Sequence, residues 1–240
     1  MTRSPGLERW WPTTQALDLV KASVEDVAGA LRREVERSVS GEPIEESWTA
    51  FASIDEALTS VERYTNVPTA VLAFATESPW TILWSNGFHC TGFDSVASGL
   101  TRTHGFETLH FCVHDEATTT PPGGGFTWRA RKGAEVVERS VHSWCTGGYW
   151  AIVEAGAPLA EEDLGRYLSP EMSERLDERT MKEFLARKGI EPWNEAFYRL
   201  APDRTFRLER TSPPETVEVR TPERVVAGLE VRVPVADPQR

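Results

Sequence analysis

The sequence predicts an α+β fold, with a central antiparallel or mixed sheet of about 6–9 strands and helices on one face. Strand-like runs cluster in the middle of the 240 residues, and helical stripes lie toward both ends. The middle runs are joined by PPGGG, KGA and TGG, the turn chemistry of an antiparallel meander. The composition agrees, since 40% hydrophobic and 26% charged residues are usual for a globular domain. A chain this long buries a sizeable core, so 1–240 is read as a single domain with loose termini at 1–12 and 234–240.

Taken in order, ALDLVKAS (16–23) is a short strand ending in a cap. Ser23 and Asp26 resemble a capping box, and Val24, Val27, Ala28, Leu31 and Val35 lie on one helical stripe after it. SWTAFAS is strand-like, and Ser53 with Glu56 caps a helix burying Ile54, Leu58 and Val61. PTAVLAFAT (68–76) and WTILWS (80–85) are apolar, β-branched and aromatic, as strands buried on both faces are. Asn86-Gly87 signals a two-residue hairpin, because both residues tolerate positive φ. Asp94 caps a short helix that runs to Leu100 and stops near Gly105.

The strands ETLHFCVH, FTWRAR, EVVERSVHSW and GYWAIVEA follow. Ser169-Pro170 is then expected to start a helix with Met172, Leu176, Met181, Phe184 and Leu185 inward and Gly189 as its stop. EPWNEAFY is a further short helix, TFRLER a strand, Thr221-Pro222 a helical turn, and LEVRVPV a last strand.

Charge and composition exclude several function classes. With 26 basic and 37 acidic residues the net charge is −11, which is wrong for neutralising nucleic-acid phosphates. No apolar run approaches the ~18 residues of a membrane span. Three widely spaced cysteines and a polar start point to a reducing cytoplasm rather than secretion. An acidic surface suits a basic protein partner, because opposite potentials speed encounter.

All five histidines and all three cysteines fall between His89 and Cys145, so the middle sheet is the place to look for chemistry. The metal candidates are His89, Cys90, His110, Cys112, His114, His142 and Cys145, with zinc as the ion their nitrogen and sulfur atoms suit. In LHFCVHDE, Leu109, Phe111 and Val113 alternate with His110, Cys112 and His114. A rise of about 3.3 Å per residue puts His110 and His114 roughly 13 Å apart, too far to share one ion. The expected arrangement is that this face meets only a covering helix. Cys145 and His142 are the nucleophile and base candidates. At i and i+3 they meet only if the strand ends at Trp144. No P-loop, G-x-S-x-G or G-x-G-x-x-G occurs, and no cofactor is expected.

Between Glu154 and Glu178 eight acids face two bases, a local charge of −6. Glu161, Glu162 and Asp163 are either helix-capping acids or an acidic docking patch. Among nine tryptophans, those in strands, Trp48 included, are expected to fill the core. Trp10, Trp11 and Trp128 are the contact candidates, the last for its place beside the PPGGG tip.

PWTILWSNGFHCTGFDS, THGFETLHF, GYWAIVEAGAPLAEEDLGRY and PWNEAFY together resemble an uncharacterised actinobacterial family over about residues 45–210. In its style, small, acidic and rich in aromatics, that family is similar to the immunity proteins that neutralise polymorphic toxins. The resemblance implies a cytoplasmic protein that works by binding, an inhibitor of a basic enzyme. Two alternatives stay open: a metal- or thiol-dependent enzyme on the middle sheet, and a small-molecule or sugar binder with aromatic-lined strands.

Overall fold

The computed structural model describes residues 16–38, 43–61, 64–65, 68–87, 94–113, 123–146, 149–171, 174–201, 204–211 and 219–220. The expected loose termini, the Thr221-Pro222 turn and the LEVRVPV strand lie outside these residues. In chain order the elements are β1 (Ala16–Lys21), α1 (Val24–Ser38), β2 (Ile44–Thr49), α2 (Ile54–Thr59), β3 (Tyr64–Thr65), β4 (Ala70–Ala75) and β5 (Thr81–Ser85). Then come α3 (Asp94–Gly99), which widens into a π turn at Leu100–His104, β6 (Glu107–Val113), β7 (Gly123–Lys132), β8 (Glu135–Thr146) and β9 (Tyr149–Ala155). The chain ends with α4 (Glu178–Arg187), β10 (Thr205–Arg210) and β11 (Val219–Arg220).

Nine strands form one antiparallel sheet in the order β2-β10-β4-β5-β1-β6-β7-β8-β9, and β3 pairs with β11 in a small ribbon. The α+β class is therefore as the sequence predicts. The meander β6 to β9 follows from its turns: Gly133, at φ 64, makes the KGA reversal that pairs Lys132 with Glu135. Among the described residues no helix is long and apolar enough to cross a membrane.

The expected single helical face needs correction, because alternate residues of the central strands feed two separate cores. Leu72, Phe74, Ile82, Trp84, Leu109 and Phe111 pack with α2 and α4, as Leu58, Met181 and Phe184 show. Val71, Ala73, Leu83, Phe206 and Leu208 pack with Val27 and Leu31 of α1 and with Leu100. Strands buried on both faces need cover on both sides, and β4 and β5 are such strands. The helices divide accordingly.

Three local expectations also change. Asn86 is not in a hairpin: its buried Oδ1 accepts from the N–H groups of Thr69 and Ala70 at 2.9 and 3.0 Å, which clamps the start of β4. Gly123 to Gly125 are not a flexible tip but the first residues of β7, paired with Trp144, Ser143 and His142. The long helix starts not at Ser169 but at Asp177, whose Oδ1 accepts from Thr180 N at 2.8 Å. Ser169-Pro170 instead follows a 3-10 turn, Arg166–Leu168, and the Ser169 carbonyl accepts from Arg175 Nε at 2.8 Å. EPWNEAFY is reduced to one 3-10 turn, Glu195–Phe197.

Candidate functional site

The strand pairing brings part of the histidine and cysteine cluster together. On the α1 side of the sheet, Asp18, His110, Thr127 and Ser140 form one row across β1, β6, β7 and β8, and Cys112, Gly125 and His142 form the next. His110 Nδ1 lies 3.0 Å from Asp18 Oδ1, with both side chains largely buried. Thr127 Oγ1 is 3.0 Å from His142 Nε2 and 3.3 Å from Ser140 Oγ. His110 and Cys112 thus share a face with His142, where a covering helix alone was the expectation. Helical cover is present as well, where Thr101 of the π turn meets Thr108 at 2.8 Å.

Gly125 makes this arrangement possible. A Cβ there would lie 2.4 Å from the Val141 carbonyl and 2.5 Å from His142 Nδ1, so the imidazole occupies the space a side chain would fill. Gly125→Ala is expected to cost about 1–3 kcal/mol by displacing the ring and straining β8. Thermal unfolding checks this, and wild-type stability would mean the ring is not seated over the glycine.

β8 runs on to Thr146, so the break after Trp144 that a Cys145–His142 pair requires is not there. His89, Cys90 and His114 lie outside the described residues. Among the described residues no set of three His, Cys, Asp or Glu side chains converges closely enough to hold a metal ion.

Of the three acids offered as a docking patch, Glu161 and Glu162 are engaged by basic groups of the protein itself and Asp163 by a turn. Arg139, 2% exposed, is the largest fully buried side chain among the described residues. Its Nη2 donates to Glu162 Oε2 at 2.7 Å and to Glu154 Oε2 at 2.8 Å, and its Nη1 to the Gly156 carbonyl at 3.2 Å. Those carboxylates, Glu162 first, hold the guanidinium above its ordinary pKa against the cost of burial. Glu162 is itself 0% exposed, and it also accepts from Leu159 N at 2.7 Å and Tyr167 Oη at 3.1 Å. Burial raises the Tyr167 hydroxyl pKa, and the Glu162 charge raises it further.

Glu161 pairs with Lys188 at 3.1 Å. Burial opposes ionisation of its carboxyl, but its own backbone N–H and the Lys188 ammonium outweigh that and hold its pKa below the usual value. Asp163 accepts from Gly165 N at 3.1 Å in a tight turn and remains exposed. A signal for this network did exist. Arg139 alternates with Val137 and Val141, on a strand whose odd positions head for the core.

The tryptophans also exchange roles. Trp128 packs on the core and donates through Nε1 to Glu107 Oε1 at 2.7 Å. Trp48, expected inside, is 41% exposed on the sheet edge, leaning on Phe206 at 5.3 Å between ring centroids. Glu45 and Glu46 beside it are exposed, and Glu46 is paired with Arg32 at 2.9 Å. Trp10 and Trp11 lie outside the described residues. No family model, curated protein or solved structure matches this chain. Trp48 was hidden from sequence reasoning because SWTA reads identically on an inner strand and on an edge.

Proposed function

We propose that this chain is a cytoplasmic protein-interaction module of the immunity type, which captures a basic partner enzyme along the β2 edge. The observation that carries this reading is Trp48, a half-exposed indole on an edge strand that also carries the exposed Glu45 and Glu46. A tryptophan is the residue type that most often anchors an interface. The outer edge of β2 pairs with no strand among the described residues, so its backbone groups can receive an added strand. Glu45 and Glu46 repel a second copy of the same edge and attract a basic one, which favours the partner over self-association. The net charge of −11 steers encounter the same way.

Affinity capture from the source cells, followed by titration of the captured protein, tests this. A basic partner is expected. Trp48→Ala should weaken it by about 2 kcal/mol, roughly thirtyfold in affinity. Glu45→Lys with Glu46→Lys should slow association and flatten its salt dependence. Capture of no basic protein, or undiminished affinity in both variants, overturns the proposal.

A second reading, a thiol- or metal-dependent enzyme, is favoured by the Asp18–His110 contact in a row adjoining Cys112 and His142. Elemental analysis of protein purified without a histidine tag distinguishes the two. Stoichiometric zinc, lost on His142→Ala, supports the enzyme and disfavours the module.

A further inference from the structure

We infer that the groove between α4 and the 190–195 segment is a receptor for an arginine side chain of a protein partner. This rests on the interaction reading for the protein source of that arginine. The groove is an open cleft of about 440 Å³. Ile190 forms part of its apolar lining and Trp193 one wall, held by a tilted contact with Phe111 at 5.9 Å. Glu191 and Glu195 are exposed on its rim, and neither has an ion-pair partner among the described residues. Asn194 steadies that rim by donating to Glu191 Oε2 at 3.1 Å and accepting from Ala196 N at 3.1 Å.

The groove already holds a cation of its own. Lys182 Nζ lies over the Trp193 ring, 4.8 Å from its centroid, with its charge met by Glu178 one turn earlier at 2.5 Å. The ammonium stands in for the head of a bound basic side chain, over the electron-rich face that attracts cations. Glu191 and Glu195 are left for the incoming group. A guanidinium suits both demands at once, because its plane stacks on an indole while its fork meets carboxylates. Lys182 is then a built-in competitor, and removing it should strengthen binding.

The test is calorimetric titration of the full chain with an acetylated Gly-Arg-Arg-Gly amide and with its citrulline counterpart, which keeps the shape and lacks the charge. Binding of the arginine peptide alone is expected. Lys182→Met should tighten it at least about threefold, the scale of one cation–π contact. Lys132→Met, an equal charge change in the exposed β7–β8 turn, should leave it unaltered. Glu191→Gln with Glu195→Gln, both exposed and expected to fold, should weaken it about tenfold or more. Equal binding of the citrulline peptide, or a Lys182→Met variant no tighter than Lys132→Met, overturns the inference. Trp48 is on β2, with four strands between it and β6, and on the α1 side of the sheet, so Trp48→Ala should not change the titration. A failed titration with a Trp48-dependent partner retained therefore sinks the groove alone, whereas failure to capture any basic partner sinks the module.

Discussion

Glu162→Ala is expected to destabilise the protein by about 3–5 kcal/mol, seen as a lower urea midpoint at unchanged slope. The cause lies in what the substitution leaves behind. Arg139 is 2% exposed, and Glu162 meets it with both oxygens of a carboxylate side chain that is itself 0% exposed. Removing that carboxylate leaves a buried guanidinium with only Glu154 and two carbonyls, and Glu154 is 43% exposed. Water screens such an exposed partner, so Glu154→Ala should cost no more than about 1 kcal/mol. Replacing both partners, Arg139→Met with Glu162→Leu, removes the orphaned charge and is expected to recover most of the loss. A Glu162→Ala midpoint matching wild type would mean that Arg139 is reached by water.

Alkaline pH should produce a second large loss of stability. Tyr167 and Tyr198 are buried, and both hydroxyls have pKa values raised above the ordinary 10.0, chiefly because burial penalises the phenolate. Tyr198 donates to the Pro192 carbonyl at 2.7 Å, a bond its ionised form cannot make. The folded state therefore holds these two protons more tightly than the unfolded chain does. Their contribution is fully present below about pH 10 and declines as pH rises above it, by about 1.4 kcal/mol per pH unit for each tyrosine. Urea unfolding at pH 9, 10, 11 and 12 measures this slope, and Tyr198→Phe should reduce it by one tyrosine's share. A slope unchanged in that variant would assign the loss to other groups.

Most of the secondary structure was legible because its causes are local. The Ser23 box is made as read, with Ser23 Oγ 3.1 Å from Asp26 N, and Ser53 Oγ is likewise 3.1 Å from Glu56 N. The apolar run at 70–75 and the Ile82-Leu83-Trp84 core of 81–85 announced strands buried on both sides. The errors arose where a local signal met a distant partner. Asn86-Gly87 has hairpin chemistry, yet the Asn86 amide is engaged by the backbone of residues 69 and 70, across the β4–β5 pair. Ser169-Pro170 has a helix-start pattern, but Asp177 supplies the cap that the helix uses.

For the candidate sites the sequence listed the right residue types and misjudged their company. The His and Cys residues were visible, but only strand register places Cys112 beside Gly125 and His142. Glu162 looked like surface charge because nothing near it in sequence shows Arg139, which is 23 residues away. Trp48 and Trp128 both sit in alternating strands, and an edge differs from an interior strand only in what lies next to it.

The sequence by itself determined the α+β class, the position of most strands, the caps at Ser23 and Ser53, and an acidic surface. These follow from hydrophobic period, capping chemistry and charge count, which depend on near neighbours or on no neighbours at all. Only the tertiary structure decided that the helices cover both faces, that Glu162 is buried against Arg139, and that Trp48 faces solvent. Burial and pairing depend on which distant segment is across the sheet, and no local pattern contains that.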